Sequence, residues 1–382
     1  MDKVYLSYNN IVSAYGFDSN AAVDAIQAET TSLRLIEDNR ILPQPFCASR
    51  IDPDLLFNVH AQLGPTEPYT PLEQLLMVAL GKVIAASGLE LNNRVGLIVS
   101  TTKGNIDILE ANRSFPEKRV YLAELGKMIK TFFGFQNDAI VLSNACVSGI
   151  LAIAVAKRLI QQGRYDHVFV LGGDLVSKFI LSGFDALKAL SSVPCRPFCK
   201  TRMGINIGEL GASVLVTKDE NLIIPESVAL LGEASCNDAN HISGPSRTGE
   251  GLFRSVRSAL TQSGLAIEDI DYISAHGTAT QYNDEMEAIA FNRAGLHTTP
   301  LNSLKGYIGH TLGASGLVET IIGMHSMHRN KLFASKGFQE IGVTQPLNII
   351  AKTTDRKIDT FLKTASGFGG CNTAAIFQKV GP

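Results

Sequence analysis

The sequence predicts an α/β protein made of two similar halves, packed as five alternating layers of helices and sheets (αβαβα). Three observations predict this class: continuous apolar runs of strand length, helical stretches between them, and a polar break at 218–222. The break divides the 382 residues roughly in two, and each half carries a similar α/β order. We therefore place an N-terminal half at residues 1–220 and a C-terminal half at 221–382.

The apolar runs are expected to lie inside the sheets, because strands covered on both faces are apolar along their whole length. They are residues 94–100, 139–142, 167–171, 211–217 and 270–275. Helical patterns occupy residues 71–86, 147–162, 249–263, 284–294 and 317–328. The helix at 147–162 is apolar on nearly all faces down to Lys157, which predicts a place in the centre of the molecule.

Composition narrows the functional class before any motif is considered. Hydrophobic residues make up 45% of the chain and charged residues 18%, which is typical of a compact globular protein. The formal net charge of −2, without a dense Lys/Arg stripe, argues against nucleic-acid binding. No apolar run approaches the ~18 residues of a membrane span. We expect a cytoplasmic protein, in which the six cysteines stay reduced.

Cys146 stands where a strand-like run gives way to the apolar helix, within Ser-Asn-Ala-Cys-Val-Ser-Gly at 143–149. The unpaired N–H groups of a first helical turn favour an anion, so this position predicts a thiol of lowered pKa. Taken alone, Cys146 could equally be a small buried hydrophobic residue. Two histidine motifs, His276-Gly-Thr-Ala-Thr and Gly-His310-Thr, favour a nucleophile. One thiol and two histidines in loops predict covalent chemistry on an acyl group.

The remaining cysteines and histidines predict no metal site. Cys195 and Cys199 have no second pair of ligands at a spacing typical of zinc. His325 and His328 lie near the basic end of an apolar helix, where solvated or hydrogen-bonded histidines are expected.

In these motifs the sequence resembles the β-ketoacyl-acyl carrier protein synthases, condensing enzymes of the thiolase fold, over nearly the whole chain. Each motif alone is weak, whereas their order and spacing together are specific. They are Ile11–Gly16, Ser143–Cys146, Cys195–Phe198, Gly208-Glu209, Asp238–Gly244, His276–Thr280 with Asp284 and Glu287, Lys305, Gly309–Thr311, Glu319 and Phe368–Gly370. The resemblance implies a thiolase-like fold and acyltransferase activity.

The resemblance also implies a mechanism. Cys146 would take an acyl chain from the phosphopantetheine arm of an acyl carrier protein, and malonyl carrier protein would extend it by decarboxylative Claisen condensation. The backbone N–H groups of Cys146 and Phe368 would form an oxyanion hole, and Phe368, flanked by glycines, would act as a gate. His276 and His310 would hold the malonyl thioester oxygen. The protein itself would bind no cofactor, because its substrates arrive on the carrier's phosphopantetheine.

Four further residues receive supporting roles from the resemblance. Lys305 and Glu319 would form a buried ion pair that orients His310, since burying either charge alone is expensive. Thr278 and Thr280 would form hydrogen bonds with the pantetheine amides.

Several positions depart from the family's pattern. The segment from 112 to 146, which caps the acyl pocket and meets the dimer partner in the family, is shorter. Cys199 and Met203 replace aspartates, Ile205 replaces an aromatic residue, and Thr364-Ala365-Ser366 replaces Asn-Ser-Phe. None of these changes removes a catalytic group. They suit a specialised synthase of polyene or polyketide type at least as well as general fatty-acid elongation.

Two alternatives from other classes stay open. One is a non-catalytic partner subunit of the chain-length-factor kind, which would lack the nucleophile that Cys146 supplies. The other is a non-decarboxylating thiolase, in which Cys371 would serve as a second catalytic cysteine. The expected partners are an acidic acyl carrier protein, for which Lys200 and Arg202 are candidate contacts, and a second subunit, in a homodimer or in a heterodimer with a related synthase-like chain.

Overall fold

The computed structural model describes residues 3–110, 115–239 and 244–380. Its strands are β1 (Tyr5–Val12), β2 (Arg34–Ile36), β3 (Phe46–Ser49), β4 (Val95–Ser100), β5 (Ile140–Leu142), β6 (His167–Asp174), β7 (Ile207–Gly208), β8 (Leu210–Thr217), β9 (Val228–Asn237), β10 (Tyr272–Ser274), β11 (Pro300–Asn302), β12 (Lys331–Leu332), β13 (Asn348–Ile349), β14 (Thr354–Asp355), β15 (Thr360–Ser366) and β16 (Cys371–Lys379).

The helices alternate with these strands along the chain. They are α1 (Ser19–Gln27), α2 (Pro53–Ala61), α3 (Pro71–Ser87), α4 (Leu122–Phe133), α5 (Ser148–Gln161), α6 (Lys178–Ala186), α7 (Glu250–Ser263), α8 (Gln281–Arg293), α9 (Lys305–Ile308) and α10 (Ser315–Arg329). Within the described ranges, no helix combines the length and the apolar character that crossing a membrane requires.

The strand order contains the same pattern twice. The first half is ordered β5-β4-β6-β8-β1, and the second is ordered β11-β10-β15-β16-β9, with β13 beyond β11. In each half the first three strands are parallel, and the last two are antiparallel to their neighbours. The two predicted halves therefore share one topology, although their sequences are not visibly repeated.

We call the two halves of this strand order the first and the second sheet, although the β1–β9 pairing joins them into one 11-stranded sheet, and helices cover both faces of each. Helix α3 packs on the outer face of the first sheet, against β1, β6 and β8, and α7 packs on the outer face of the second, against β9 and β16. Helices α5 and α10 pack against each other between the sheets, and their apolar residues belong to one central core cluster. This order of layers is the predicted five-layer arrangement, with the all-round apolar helix at its centre.

Local signals explain where the elements begin and end. Thr70 caps α3 by accepting a hydrogen bond from the Glu73 N–H, and the Glu73 carboxylate accepts one from the Thr70 N–H. The helix ends at Gly88, whose φ of 63° is the left-handed conformation that glycine favours. All the helices and strands predicted above are present, with ends shifted by up to three residues.

The two halves form a continuous structure. Strand β1 of the first half is hydrogen-bonded to β9 of the second, through the pairs Tyr5–Ala229 and Leu6–Val228. The predicted division at residue 220 falls in a short 3-10 helix, Glu220–Leu222, between the two strand orders. The motif at 238–244 and the shortened segment after 112 each lie partly outside the described residues.

Candidate active site

The nucleophile candidate lies in a strained turn between β5 and α5. Ala145, just before Cys146, has a left-handed φ of 45°, which a side chain tolerates only at a cost of ~1 kcal/mol. The Ser148 hydroxyl closes the turn, because it donates to the Ala145 carbonyl (2.6 Å) and accepts from the Asn144 N–H (2.8 Å). Cys146 is buried, with 7% of its surface exposed. The turn directs the thiol into the junction of the two halves.

The environment of Cys146 differs from the prediction in one respect. Burial raises the pKa of the thiol to about 12, and the neighbouring Cys371 thiol adds to the rise, whereas Lys305 and the backbone N–H of Phe368 oppose it. Helix α5 begins only at Ser148, two residues later. The predicted lowering of this pKa was therefore wrong, because burial outweighs the effect of the first helical turn. The resting group is a thiol.

Two carboxylates hold the loop that carries His276. Glu287 accepts from the backbone N–H groups of His276 (2.8 Å) and Gly277 (2.6 Å). Asp284 accepts from the N–H groups of Thr278 (2.9 Å) and Phe198 (2.7 Å). Both carboxylates are fully buried in α8, and burial raises the pKa of Glu287 to about 7. The spacing of these two acids in the sequence thus fixes a catalytic loop.

The loop that carries His310 is attached to the first half of the chain. The His310 N–H donates to the Asn206 carbonyl (2.7 Å), and the His310 carbonyl accepts from the Gly208 N–H (3.0 Å). The Leu312 N–H donates to His310 Nδ1 at 2.9 Å. Because Nδ1 accepts, the proton of the neutral ring is on Nε2. This buried Nε2 has no hydrogen-bond partner within the described ranges.

The thiol and the two histidines converge. The Cys146 sulfur and one ring nitrogen from each of His276 and His310 all lie within 4.8 Å of one another. The histidine rings stand edge to face, with centroids 5.1 Å apart. Burial, followed by the positive charge of Lys305, holds the pKa of both histidines well below 6.5, so both are neutral at physiological pH. These three residues are also close enough to bind a small ion together, and the expected absence of a metal stays a prediction.

A left-handed φ recurs in all three loops that meet here. Besides Ala145, it occurs at Ala279 (62°), three residues after His276, and at Leu312 (52°), two residues after His310. Such conformations persist only where the surroundings enforce them, and they concentrate at functional sites. The shared strain indicates that loop geometry is held for function.

A buried ion cluster lies behind the histidines. Lys305 Nζ is 2.7 Å from Glu319 Oε1, so the predicted ion pair is present. The pair was predicted to orient His310, whereas Lys305 Nζ lies 3.4 Å from Nδ1 of the other histidine, His276. An ammonium only donates, so Nδ1 of His276 accepts and its Nε2 carries the proton. A second lysine, Lys363, was not predicted to belong to this cluster, and its Nζ lies 2.6 Å from Glu319 Oε2.

Two cavities meet at Cys146. One, of about 290 Å³, is lined by both histidines, Thr278 and Thr280, and its mouth includes Tyr282. The Thr278 and Thr280 hydroxyls are 2.8 Å apart.

The other cavity, of about 220 Å³, is mostly apolar, and Cys146, Phe184 and Phe368 line both cavities. The rings of Phe184 and Phe368 have centroids 5.7 Å apart. The two phenylalanines therefore stand between the cavities, on either side of the thiol.

A glycine allows the oxyanion-hole candidates to approach each other. A Cβ on Gly367 would lie 3.1 Å from the Cys146 backbone nitrogen and 2.9 Å from Cys371 Sγ. Cys371 lines neither cavity, and its thiol is 3.4 Å from the Phe368 carbonyl. That position does not suit the second catalytic cysteine of a thiolase.

Other residues from the sequence analysis have structural roles. Arg202, a candidate contact for the carrier protein, is not available for that role: its guanidinium is buried, donates to the Cys199 carbonyl, and lies 3.9 Å from Asp284. Lys200 is exposed and pairs with Glu340 (2.9 Å). His325 is buried and 3.1 Å from the Asn9 amide oxygen, as expected for a satisfied histidine.

Asp174 is a second positioning residue that the sequence analysis did not single out. It ends β6 and accepts from the Gly313 N–H (2.7 Å), three residues after His310, and from the Thr101 hydroxyl (2.7 Å). Its position could have indicated this role, because Asp174 follows the apolar run and Gly172-Gly173 directly in the sequence. Lys363 gave none, because a lysine within an apolar strand also suits an exposed edge.

Comparisons with known proteins agree with this geometry. Residues 58–221 match the family described as beta-ketoacyl synthase, N-terminal domain, and residues 228–339 match the corresponding C-terminal domain. The chain is 29% identical to 3-oxoacyl-[acyl-carrier-protein] synthase 2 of Coxiella burnetii, over 77% of this chain and 78% of that protein. It is also 29% identical to the tetracenomycin polyketide synthase ketoacyl synthase alpha subunit of Streptomyces glaucescens, over 64% and 61% of the two chains.

A solved structure extends the likeness to the full length. A chain from the complex of the ketosynthase ApeO with its chain length factor ApeC, from Xenorhabdus doucetiae, superposes with a TM-score of 0.88 at 27% identity. The match covers 99% of this chain and 98% of that one. The fold, the two domain matches and the converging thiol and histidines lead to one conclusion: this chain belongs to the beta-ketoacyl synthase family of condensing acyltransferases.

Proposed function

We propose that this protein joins an acyl group held on Cys146 to a malonyl thioester by decarboxylative Claisen condensation. The observation that carries the proposal is the pair of neutral histidines beside the thiol, each with its proton on Nε2. Two converging N–H donors suit a carbonyl oxygen that becomes an enolate, because preorganised donors stabilise developing negative charge. A single base would suit a hydrolase better.

The first half-reaction loads the nucleophile. Cys146 Sγ attacks the carbonyl carbon of an acyl thioester, the carbon–sulfur bond to pantetheine breaks, and the thiol proton passes to the departing pantetheine sulfur. The backbone N–H groups of Cys146 and Phe368 stabilise the tetrahedral oxyanion. The Phe368 N–H faces the Cys146 thiol and opposes the burial-driven rise in its pKa, which supports this role.

The second half-reaction uses the histidines. The malonyl thioester oxygen accepts hydrogen bonds from His276 and His310, and the malonyl carboxylate leaves as carbon dioxide. Its bonding electrons form an enolate, whose carbon attacks the acyl-Cys146 carbonyl. The Cys146 sulfur leaves as a thiolate, and a proton from water restores the thiol. The lowered pKa of each histidine supports this step, because neutral rings donate hydrogen bonds from Nε2 without protonating the enolate.

The two cavities supply separate places for the two ends of the substrate. We assign the cavity with Thr278 and Thr280 to the phosphopantetheine arm, since two hydroxyls can bond its amides. The apolar cavity suits the acyl chain. Phe368 would gate the passage between them, as a 41% exposed ring followed by two glycines with left-handed φ.

An acyl carrier protein and a second synthase-like subunit are the proposed partners, and the cytoplasm is the proposed location. The solved complex that contains the matching chain is that of a ketosynthase with its chain length factor, which supports a heterodimer beside the homodimer expected from the family. The presence of Cys146 with both histidines favours the catalytic subunit over a non-catalytic partner. The apolar cavity and the polyketide relative support a specialised acyl substrate.

Intact mass after incubation with carrier proteins that bear different acyl chains tests the proposal, beside a Cys146→Ala control. A gain of one acyl group that requires Cys146 is expected, and the preferred chain would distinguish fatty-acid from polyene or polyketide substrates. Adding malonyl carrier protein should then release carbon dioxide and the extended product. No mass gain with any carrier, alone or with a chain-length-factor subunit present, would overturn the proposal.

A further inference from the structure

Lys363 is a fully buried lysine whose ammonium lies in a cage of oxygens. Its Nζ is 2.6 Å from Glu319 Oε2 and donates to the carbonyls of Ser274 (3.1 Å) and Ala275 (3.2 Å). Burying an ammonium costs several kcal/mol unless its partners compensate. The first carbonyl belongs to Ser274, the last residue of β10, and the second belongs to Ala275, which directly precedes His276. The cage therefore holds the backbone from which the catalytic histidine projects.

The cluster around Lys363 carries an excess of positive charge. Lys305 and Lys363 share one carboxylate, Glu319, at 2.7 and 2.6 Å, and these two cations lower the pKa of Glu319, against burial. Glu287 also faces Lys363, but burial raises the pKa of Glu287 to about 7, so it compensates only in part. Burial lowers the pKa of Lys363, Glu319 opposes this shift, and Lys305 adds to it. With both lysines protonated, Glu319 compensates one of the two charges, and a positive potential remains behind His276.

We propose that Lys363 is a positioning residue for the malonyl half-reaction: its ammonium fixes the end of β10 before His276 and adds positive potential where the enolate forms. The inference rests on the proposed function. An enolate is an anion in a buried site, so a preorganised cation nearby stabilises it in the transition state. Lys363 does not line the cavity that holds the thiol and histidines, so it acts through His276.

The protonation of the histidines supports this role. Lys363 contributes to the low pKa of both His276 and His310, after burial and Lys305. Removing its charge should therefore raise the pKa of both rings. The fall in the rate of carbon dioxide release at low pH, which we call the acid limb, should then move to higher pH. A lysine that only filled space in the core would leave that limb unchanged.

Lys363→Met removes the ammonium, keeps an unbranched apolar side chain, and leaves Glu319 paired with Lys305. The control is Lys357→Met, a 78% exposed lysine shortly before the same strand. Two rates are measured on each protein: acylation of Cys146 by an acyl carrier protein, from intact mass, and carbon dioxide release from malonyl carrier protein. We expect Lys363→Met to slow carbon dioxide release by roughly 10- to 100-fold and acylation by less than about threefold, with the acid limb shifted upward.

Lys363→Ala tests the cage itself, because it leaves a void beside a carboxylate and two carbonyls. Methylammonium, added to this variant, should restore carbon dioxide release in a saturable manner and should leave wild type unchanged. Equal slowing of both rates, an unshifted acid limb, and no recovery with methylammonium would overturn the inference.

Two further measurements keep the outcomes separate. If neither variant folds, nuclear magnetic resonance can measure the pKa values of His276 and His310 in the wild type. Values near 6.5 would contradict the added positive potential. If the wild type neither acylates nor releases carbon dioxide, the proposed function fails. If it does both and Lys363→Met behaves like Lys357→Met, only the role of Lys363 fails.

Discussion

The two walls of the site are held in opposite ways. The polar wall consists of buried charged and imidazole groups that are at most 2% exposed: His276, His310, Lys305, Glu319 and Lys363. The apolar wall consists of side chains around the acyl cavity, and Phe179 (51%), Leu187 (51%) and Phe368 (41%) are among its most exposed members. Ion pairs and hydrogen bonds hold the first wall, whereas ring and aliphatic contacts hold the second.

The difference separates chemistry from selectivity. Buried ion pairs and hydrogen bonds are expensive to leave half-satisfied, so the polar wall admits few changes. Apolar contacts at a partly exposed wall can be exchanged at modest cost, so the acyl cavity can vary in shape while the reaction stays the same. Ile205, one of the departures from the family pattern, lines the cavity with the two histidines and not the acyl cavity, so this division does not account for it.

The largest effect should follow from breaking the ion cluster. Glu319→Gln leaves Lys305 and Lys363 buried without a counter-charge, which should lower the free energy of unfolding by about 3–5 kcal/mol. Equilibrium unfolding in urea measures it. Glu340→Gln, which breaks the exposed pair with Lys200, is the matched control and should behave like wild type. A small loss for Glu319→Gln would show that the polar wall is not held by this carboxylate.

Removing one donor of the polar wall should affect one half-reaction only. His310→Ala should slow carbon dioxide release from malonyl carrier protein by about 100- to 1000-fold, while acylation of Cys146 stays within a few-fold of wild type. The exposed His297→Ala is the matched control. If acylation fell as much as decarboxylation, His310 would be acting on the thiol, and the assignment of the histidines to the malonyl step would be wrong.

The sequence alone predicted the layers, the division of the chain into two similar halves and the three converging residues, because each depends on local pattern: apolar periodicity, small-residue loops and motif spacing. It did not predict the burial of Lys363 and Arg202 or the contact of Lys305 with His276, because these depend on which distant groups meet. Arg202 is buried against Asp284, 82 positions away in the sequence, at 3.9 Å. The predicted lowering of the Cys146 pKa was wrong for the same reason, since burial is a property of the assembled core.

A change in the apolar wall should alter selectivity rather than chemistry. Phe184 lines both cavities and contacts the Phe368 ring. Phe184→Ala should enlarge the acyl cavity and raise the ratio of long-chain to short-chain acylation by about tenfold, with carbon dioxide release little changed. Competition between two acyl carrier proteins, read by intact mass, measures the ratio, and Phe57→Ala (59% exposed) controls for losing a surface phenyl group. An unchanged ratio would place the selectivity elsewhere.

The smallest effect concerns pH, and it distinguishes the walls once more. Burial and Lys305 lower the pKa of both histidines, so the rings stay neutral as pH falls through 6.5, their ordinary value, and become charged only below it. Carbon dioxide release should therefore hold constant from neutral pH down to 6.5, and its acid limb should lie lower. The free energy of unfolding should decline as pH falls below about 6.5, because the histidines of the unfolded chain bind protons there while the buried rings of the folded protein do not. If carbon dioxide release instead fell with a midpoint at pH 6.5, water would reach the histidines, and the polar wall would be no better shielded than the apolar wall.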